Sequence, residues 1–151
     1  MKKWLMRTLH LLLASIIGFF FASLLHTQAV LAKLSAIDII IPFSERLEST
    51  WQDMLGLAPS YGLIVLAALL IAFSIAGLIL KYGNLSEKGS LYLYTSAGIV
   101  AFFVMLIAMQ PILNVTLLAG ARGVSGLMMQ CMAGAISGAC FAFFRRAYHS
   151  E

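Results

Sequence analysis

The sequence contains few charged residues and very little proline. Only 11% of its 151 residues are charged and 62% are hydrophobic, whereas a soluble domain carries about 25% charged residues. A water-soluble protein is therefore excluded by composition. The sequence has 3 prolines, and all of them fall outside the long apolar runs, which leaves those runs free to form uninterrupted helices.

Four apolar runs without a single Asp or Glu are long enough to cross a membrane. Each approaches the roughly 20 residues that a helix needs to span a hydrocarbon core of about 30 Å. They must be helical, because a backbone exposed to lipid has to satisfy its hydrogen bonds within its own segment. We therefore predict an all-α polytopic membrane protein, one domain over residues 1–151 with four transmembrane helices. The spans are predicted at about residues 8–32, 61–80, 91–109 and 124–144.

The first apolar run has an alternative interpretation as a signal peptide. A basic start, Met1–Arg7, precedes it, and Val30–Ala32 has the small-residue character of a cleavage site. The apolar stretch between them is longer than the roughly 7 to 15 residues of a signal-peptide core. We therefore expect the first helix to be retained.

Basic residues are distributed unevenly between the two sides of the predicted spans. With both termini on one side, that side holds seven Lys and Arg residues and the other side holds three. Because cytoplasmic loops are enriched in Lys and Arg, this asymmetry predicts cytoplasmic termini in a bacterial inner membrane. The net charge of +4 then faces anionic lipid headgroups and does not indicate a nucleic-acid partner.

The segment between the first two spans is predicted to contain an amphipathic surface helix over about residues 44–57. Apolar side chains recur there at helical spacing, with acidic and polar side chains on the opposite face. The apolar face consists of Leu47, Trp51, Met54 and Leu55. Gly56 and Pro59 are expected to end this helix, which would lie at the outer membrane surface or cover the outer mouth of the bundle.

Small residues form stripes on two of the predicted spans. In the fourth span, Gly134 and Gly138 form a GxxxG motif, whose spacing lets two helix backbones approach closely in lipid. In the first span, Gly18 belongs to a weaker stripe of the same kind. We predict that these two spans pack against each other, with a contact to another copy or to a partner subunit as the alternative use of the motif.

Polar residues gather near the outer ends of the spans and form a candidate site. They are His26, Gln28, Gln110, Arg122 and Gln130. Polar and ionisable groups at membrane depth indicate function, because they are costly to leave unpaired. The guanidinium of Arg122, next to a helix N-terminus, suits a carboxylate or a lipid phosphate. The alternative is an internal ion pair between Arg122 and Asp53, Glu48 or Asp38.

The sequence offers no set of side chains that supports catalysis or metal binding. Cys131 and Cys140 are nine residues apart on one helix, about 13 Å along its axis, so they cannot bridge each other. No nucleophile with a base, carboxylate pair or ligand set can be assembled. We therefore expect neither an enzyme nor a bound metal or cofactor.

Two hypotheses of different class follow from these features. The first is a non-catalytic accessory subunit or self-assembling scaffold of an inner-membrane complex. Its partners would be membrane lipids and either further copies of the chain or a partner membrane subunit. The second is a protein that binds or transports a lipid or small amphiphile at a polar site around Arg122 in the outer leaflet.

Overall fold

The computed structural model describes residues 2–36, 40–83, 87–113 and 124–149. Every regular element in these residues is helical. The α-helices are α1 (Lys2–Ser35), α2 (Phe43–Leu57), α3 (Leu63–Gly83), α4 (Glu87–Leu113) and α5 (Val124–His149).

Four helical stretches have the length and composition to cross a membrane. They are Leu5–Ser35, Phe43–Gly83, Lys88–Met109 and Val124–Ala147. The predicted class, an all-helical protein with four candidate membrane-spanning helices, is therefore confirmed. The first two stretches are longer than predicted: α1 alone has 34 residues, about 51 Å, against a hydrocarbon core of about 30 Å.

Helix α2 ends at Leu57, close to the predicted end, but the chain does not leave the helical conformation there. A π-helical turn, Ala58–Gly62, joins α2 directly to α3. Proline has no N–H donor, and Pro59 sits in this wider turn, where the α-helical hydrogen-bond pattern is already interrupted. The result is one helical stretch of 41 residues from Phe43 to Gly83, so a separate amphipathic surface helix is not supported.

Helix α1 runs antiparallel to α5, and two side chains of α5 bond to its backbone. Ser137 Oγ donates to the carbonyl of Ala14 at 2.7 Å, and Gln130 Nε2 donates to the carbonyl of Ala22 at 2.9 Å. Gly18 lies between these contacts, where a Cβ would come within 2.9 Å of the Ser137 Cβ. Close packing of α1 on α5 therefore depends on the missing side chain at Gly18.

The glycines of the GxxxG motif in α5 pack against α4, on a different face of α5 from the one that contacts α1. A Cβ added to Gly134 would overlap the carbonyl of Gly98, and one added to Gly138 would overlap the carbonyl of Tyr94. The two backbones thus touch over about one turn, an approach that only glycine permits. The predicted close pairing of the first and fourth spans is found in the α1–α5 contact, but it uses Gly18 and Ser137, whereas the GxxxG glycines lie on the neighbouring face of α5.

The bundle has two ends of different composition. At the first, which we call the terminal end, α1 begins and α5 ends, and the rings of His10 and Phe144 lie 6.1 Å apart. At the opposite end, which we call the α2 end, α2 packs along the last turns of α1, and the polar contacts described next lie there.

Candidate functional site

A buried amide and phenol join three segments in the half of the bundle nearer the α2 end. Gln130 of α5 is 1% exposed, and Tyr61 of the π-helical turn is fully buried. The Tyr61 hydroxyl donates to Gln130 Oε1 at 3.1 Å, while Gln130 Nε2 donates to the carbonyl of Ala22 in α1. Gln130 therefore ties the π turn to α1 and α5.

A second polar contact joins α1 to α2 closer to the α2 end. The Thr27 hydroxyl lies 2.9 Å from Asp53 Oδ2 and 3.1 Å from the carbonyl of Ser23. Its single hydrogen is shared between these two acceptors. Thr27 is almost completely buried, so the Asp53 carboxylate is held against α1 by a hydroxyl shielded from solvent.

Further hydrogen bonds continue this contact along the two helices. Gln28 Nε2 donates to Thr50 Oγ1 at 3.4 Å, and the Thr50 hydroxyl donates to the carbonyl of Arg46 at 2.7 Å. Arg46 Nη2 donates to Ser35 Oγ at 3.1 Å. The six side chains at this contact, which we call the polar seam, are Thr27, Gln28, Ser35, Arg46, Thr50 and Asp53.

His26 lies beside the polar seam, buried and within electrostatic range of Asp53. The structure therefore brings His26, Gln28 and Gln130 into the same half of the bundle. Their described hydrogen bonds do not converge on one shared centre, since Gln28 bonds to α2 while Gln130 bonds to α1 and the π turn.

The remaining two predicted site residues lie outside the described residues. The backbone of Gln110 belongs to α4, but its side chain is not among those described, and Arg122 lies wholly outside them. Convergence of polar groups around Arg122 therefore stays a prediction.

The predicted apolar face of α2 does not point into the bundle. Leu47, Trp51 and Leu55 are 64%, 59% and 59% exposed, whereas Met54 is half-buried. The reason is that α2 packs on α1 through Thr50 and the other residues of the polar seam. The apolar stripe is left on the flank of the helix.

An open apolar groove of about 680 Å³ lies on the surface of the bundle along α3 and α4. Along α3 it extends from Ile64 to Ile79, about 22 Å. Ser96 is the one polar residue in its lining. Seven lining residues are alanines, whose small side chains leave the space between the helices unfilled: Ala67, Ala68, Ala72, Ala76, Ala97, Ala101 and Ala108.

No metal-binding group is found in the part of the chain that the structure describes. No group of three or more His, Cys, Asp or Glu side chains in it is placed to hold a metal ion. Cys131 and Cys140 are both free thiols.

No family model, curated protein or solved structure matches this chain.

Tyr61 is a site residue that sequence reasoning did not find, and Asp53 was named only as a possible partner of Arg122. Sequence reasoning assigned Asp53 to a separate surface helix and Tyr61 to the start of a span. A signal was present, because Thr50, Asp53, Leu57 and Tyr61 recur at three- and four-residue spacing across Pro59. That period indicates one continuous helix face, whereas Gly56 and Pro59 predict a break in the helix.

Proposed function

We propose that this chain is a non-catalytic helical subunit or self-assembling scaffold of a bacterial inner-membrane complex, and that it takes another transmembrane helix into the α3–α4 groove. The observation that carries this proposal is the open groove itself. Ala68, Ala72 and Ala76 follow one another at four-residue spacing along it, as small residues do where membrane helices approach closely. Its length of about 22 Å covers most of a hydrocarbon core of about 30 Å.

The other candidate contact residues already make contacts within the chain, which supports the groove as the surface for a partner. Gly134 and Gly138 pack on α4, so their close approach serves the bundle. The side chains of Gln28 and Gln130 hydrogen-bond to neighbouring helices, a role in which polar groups contribute about 0.6 to 1.7 kcal/mol each. The groove, in contrast, is open to the surroundings of the bundle.

Orientation and the position of α2 are part of the same proposal. The terminal end faces the cytoplasm, because most Lys and Arg residues lie there. The stretch Phe43–Gly83 measures about 61 Å, twice the hydrocarbon thickness, so α2 extends beyond the core on the outer side. The exposed stripe of Leu47, Trp51 and Leu55 then rests in the outer membrane interface, which suits an amphipathic flank with a Trp.

The experiment is extraction of the tagged chain with its native lipid in polymer nanodiscs, followed by native mass spectrometry. We expect a stoichiometric second protein or a defined homo-oligomer, lost when Ala72→Leu and Ala97→Leu together fill the groove. Leu78→Phe, which adds volume on an exposed part of α3 outside the groove lining, should leave the assembly intact. A monomeric wild-type chain, or an assembly unaffected by the filled groove, would contradict the proposal.

A second candidate function, binding of a lipid or small amphiphile, is favoured by the almost wholly apolar lining of the same groove. In this case the nanodiscs should contain a monomer with one defined amphiphile, released by Ala72→Leu with Ala97→Leu. The sequence hypothesis of a polar site around Arg122 is tested in the same samples. Retention unchanged in Arg122→Ala would rule out that arginine as a ligand contact.

A further inference from the structure

A buried tyrosine near the terminal end holds an arginine in a fixed position. Tyr94 is 3% exposed, and its ring lies edge-on to Phe73 and Phe141, with centroids 5.7 and 4.9 Å away. Arg145 Nη1 donates to the Tyr94 hydroxyl at 2.9 Å. This single bond positions the guanidinium and leaves most of its five donors for other acceptors.

A second guanidinium approaches the same phenol from α1. Arg7 is exposed and lies within electrostatic range of Tyr94. The two arginines become neighbours because α1 and α5 run antiparallel, which also places His10 beside Phe144. One arginine from each end of the chain thus lies within electrostatic range of the same hydroxyl.

The carboxylates that the structure describes do not balance this positive charge. They belong to Glu45, Glu48 and Asp53, all on α2 at the other end of the bundle, while Glu87, the first residue of α4 at the terminal end, has a side chain outside those described. Asp53 contacts Thr27, which is about 30 Å from Arg7 along α1. Two guanidiniums that act on the same hydroxyl repel each other, and an anion bound by both relieves that repulsion.

The depth of the two arginines indicates which anion is available. The candidate spans begin at Leu5 and end at Ala147, so Arg7 and Arg145 lie within one turn of the ends of the apolar segments. Lipid phosphates occur at this boundary, and the planar donor set of arginine matches a phosphate better than a lysine does. We propose that Arg7 and Arg145, the latter positioned by Tyr94, bind the phosphate of an anionic phospholipid at the terminal end.

The test is retention of added lipid by the full chain in detergent, measured by native mass spectrometry. We expect one phosphatidylglycerol per chain, with phosphatidylcholine held at least fivefold less. Arg7→Gln with Arg145→Gln should lower phosphatidylglycerol retention at least tenfold. The matched control, Lys81→Gln with Lys88→Gln, removes the same charge from the same end of the bundle and should change retention less than twofold.

Two further variants and the comparison of the arginine and lysine pairs keep the proposal open to refutation. Arg7→Gln alone, at an exposed residue, should keep the fold and lower retention at least threefold; unchanged retention would overturn the two-arginine site. Tyr94→Phe should lower retention although both arginines remain. Equal losses in the arginine and lysine pairs would reduce the effect to net charge and refute the site.

Competition with inorganic phosphate separates the two sources of the bound group. If millimolar phosphate displaces phosphatidylglycerol from the wild-type chain, the site recognises phosphate itself. If the lipid is retained, the acyl chains or glycerol contribute, and the ligand is a membrane phospholipid. Equal retention of phosphatidylcholine and phosphatidylglycerol would contradict the proposal in either case.

Discussion

The Tyr61 hydroxyl donates to Gln130 Oε1 at 3.1 Å across 69 positions of sequence, and both side chains are buried. This bond joins the π-helical turn to the last helix at the depth where α2 passes into α3. A buried amide that loses its donor keeps the cost of desolvation, so the bond can be tested by removing one atom.

We expect Tyr61→Phe to lower the free energy of unfolding by about 1 kcal/mol, in the range measured for hydrogen bonds between membrane helices. Reversible unfolding in mixed detergent micelles measures it. Tyr82→Phe removes the same atom from a 79% exposed ring and should have no effect. If the two variants are equally stable, the buried bond contributes nothing measurable.

Glycine at position 138 should be indispensable to the bundle. A Cβ there would overlap the Tyr94 carbonyl, so Gly138→Ala forces α4 and α5 apart and should cost about 1 to 3 kcal/mol. Gly56→Ala is the control, because a Cβ at Gly56 meets nothing within 4 Å, and alanine should stabilise that helix by up to about 1 kcal/mol. The test is the unfolding midpoint of the monomeric chain. If Gly138 served only contacts between molecules, Gly138→Ala would leave this midpoint unchanged.

A cysteine cross-link should report the packing of α2 on α1. In a chain with Cys131 and Cys140 replaced by serine, Thr27→Cys with Asp53→Cys should form a disulfide under mild oxidation. The two native side chains approach within 2.9 Å, close enough for their cysteine replacements to meet.

The control for this cross-link pairs Thr27→Cys with Gln52→Cys. Gln52 is exposed and bonds to Glu48 on its own helix, so this pair should stay reduced. Equal cross-linking in both pairs, or in neither, would mean that α2 does not present Asp53 to α1.

Labelling of single cysteines placed at the two ends should establish the orientation of the bundle in the membrane. Ser44→Cys lies on α2 and Lys88→Cys at the terminal end, and both side chains are exposed. In intact cells, a membrane-impermeant maleimide should modify only the cysteine at position 44, because the excess of Lys and Arg predicts a cytoplasmic terminal end. Labelling at position 88 in place of 44 would invert the topology.

Some parts of the fold could be predicted because they follow from local composition. Four apolar runs without acidic residues require helices in lipid, and the structure contains four helical stretches able to span it. The small-residue spacing of Gly134 and Gly138 likewise indicated close backbone contact. Neither observation identifies a partner helix, since any helix with a matching surface satisfies the same spacing.

Other parts depend on which helices meet. Whether Pro59 ends a helix or is absorbed in a π turn was decided by contacts that residues on both sides of it make with α1 and α5. Gln28 and Gln130, which were expected to share one site, bond to different helices because they lie on faces that only the assembled bundle defines.

The sequence by itself determined that the chain is helical, that it has four spans and that its basic residues concentrate at one end, because these properties depend on composition and spacing within single segments. The tertiary structure decided that Gly134 faces α4, that Asp53 contacts α1 and that Arg145 lies on Tyr94. Each of these pairs joins residues more than 20 positions apart. Such contacts depend on how whole helices rotate and cross, which no local pattern specifies.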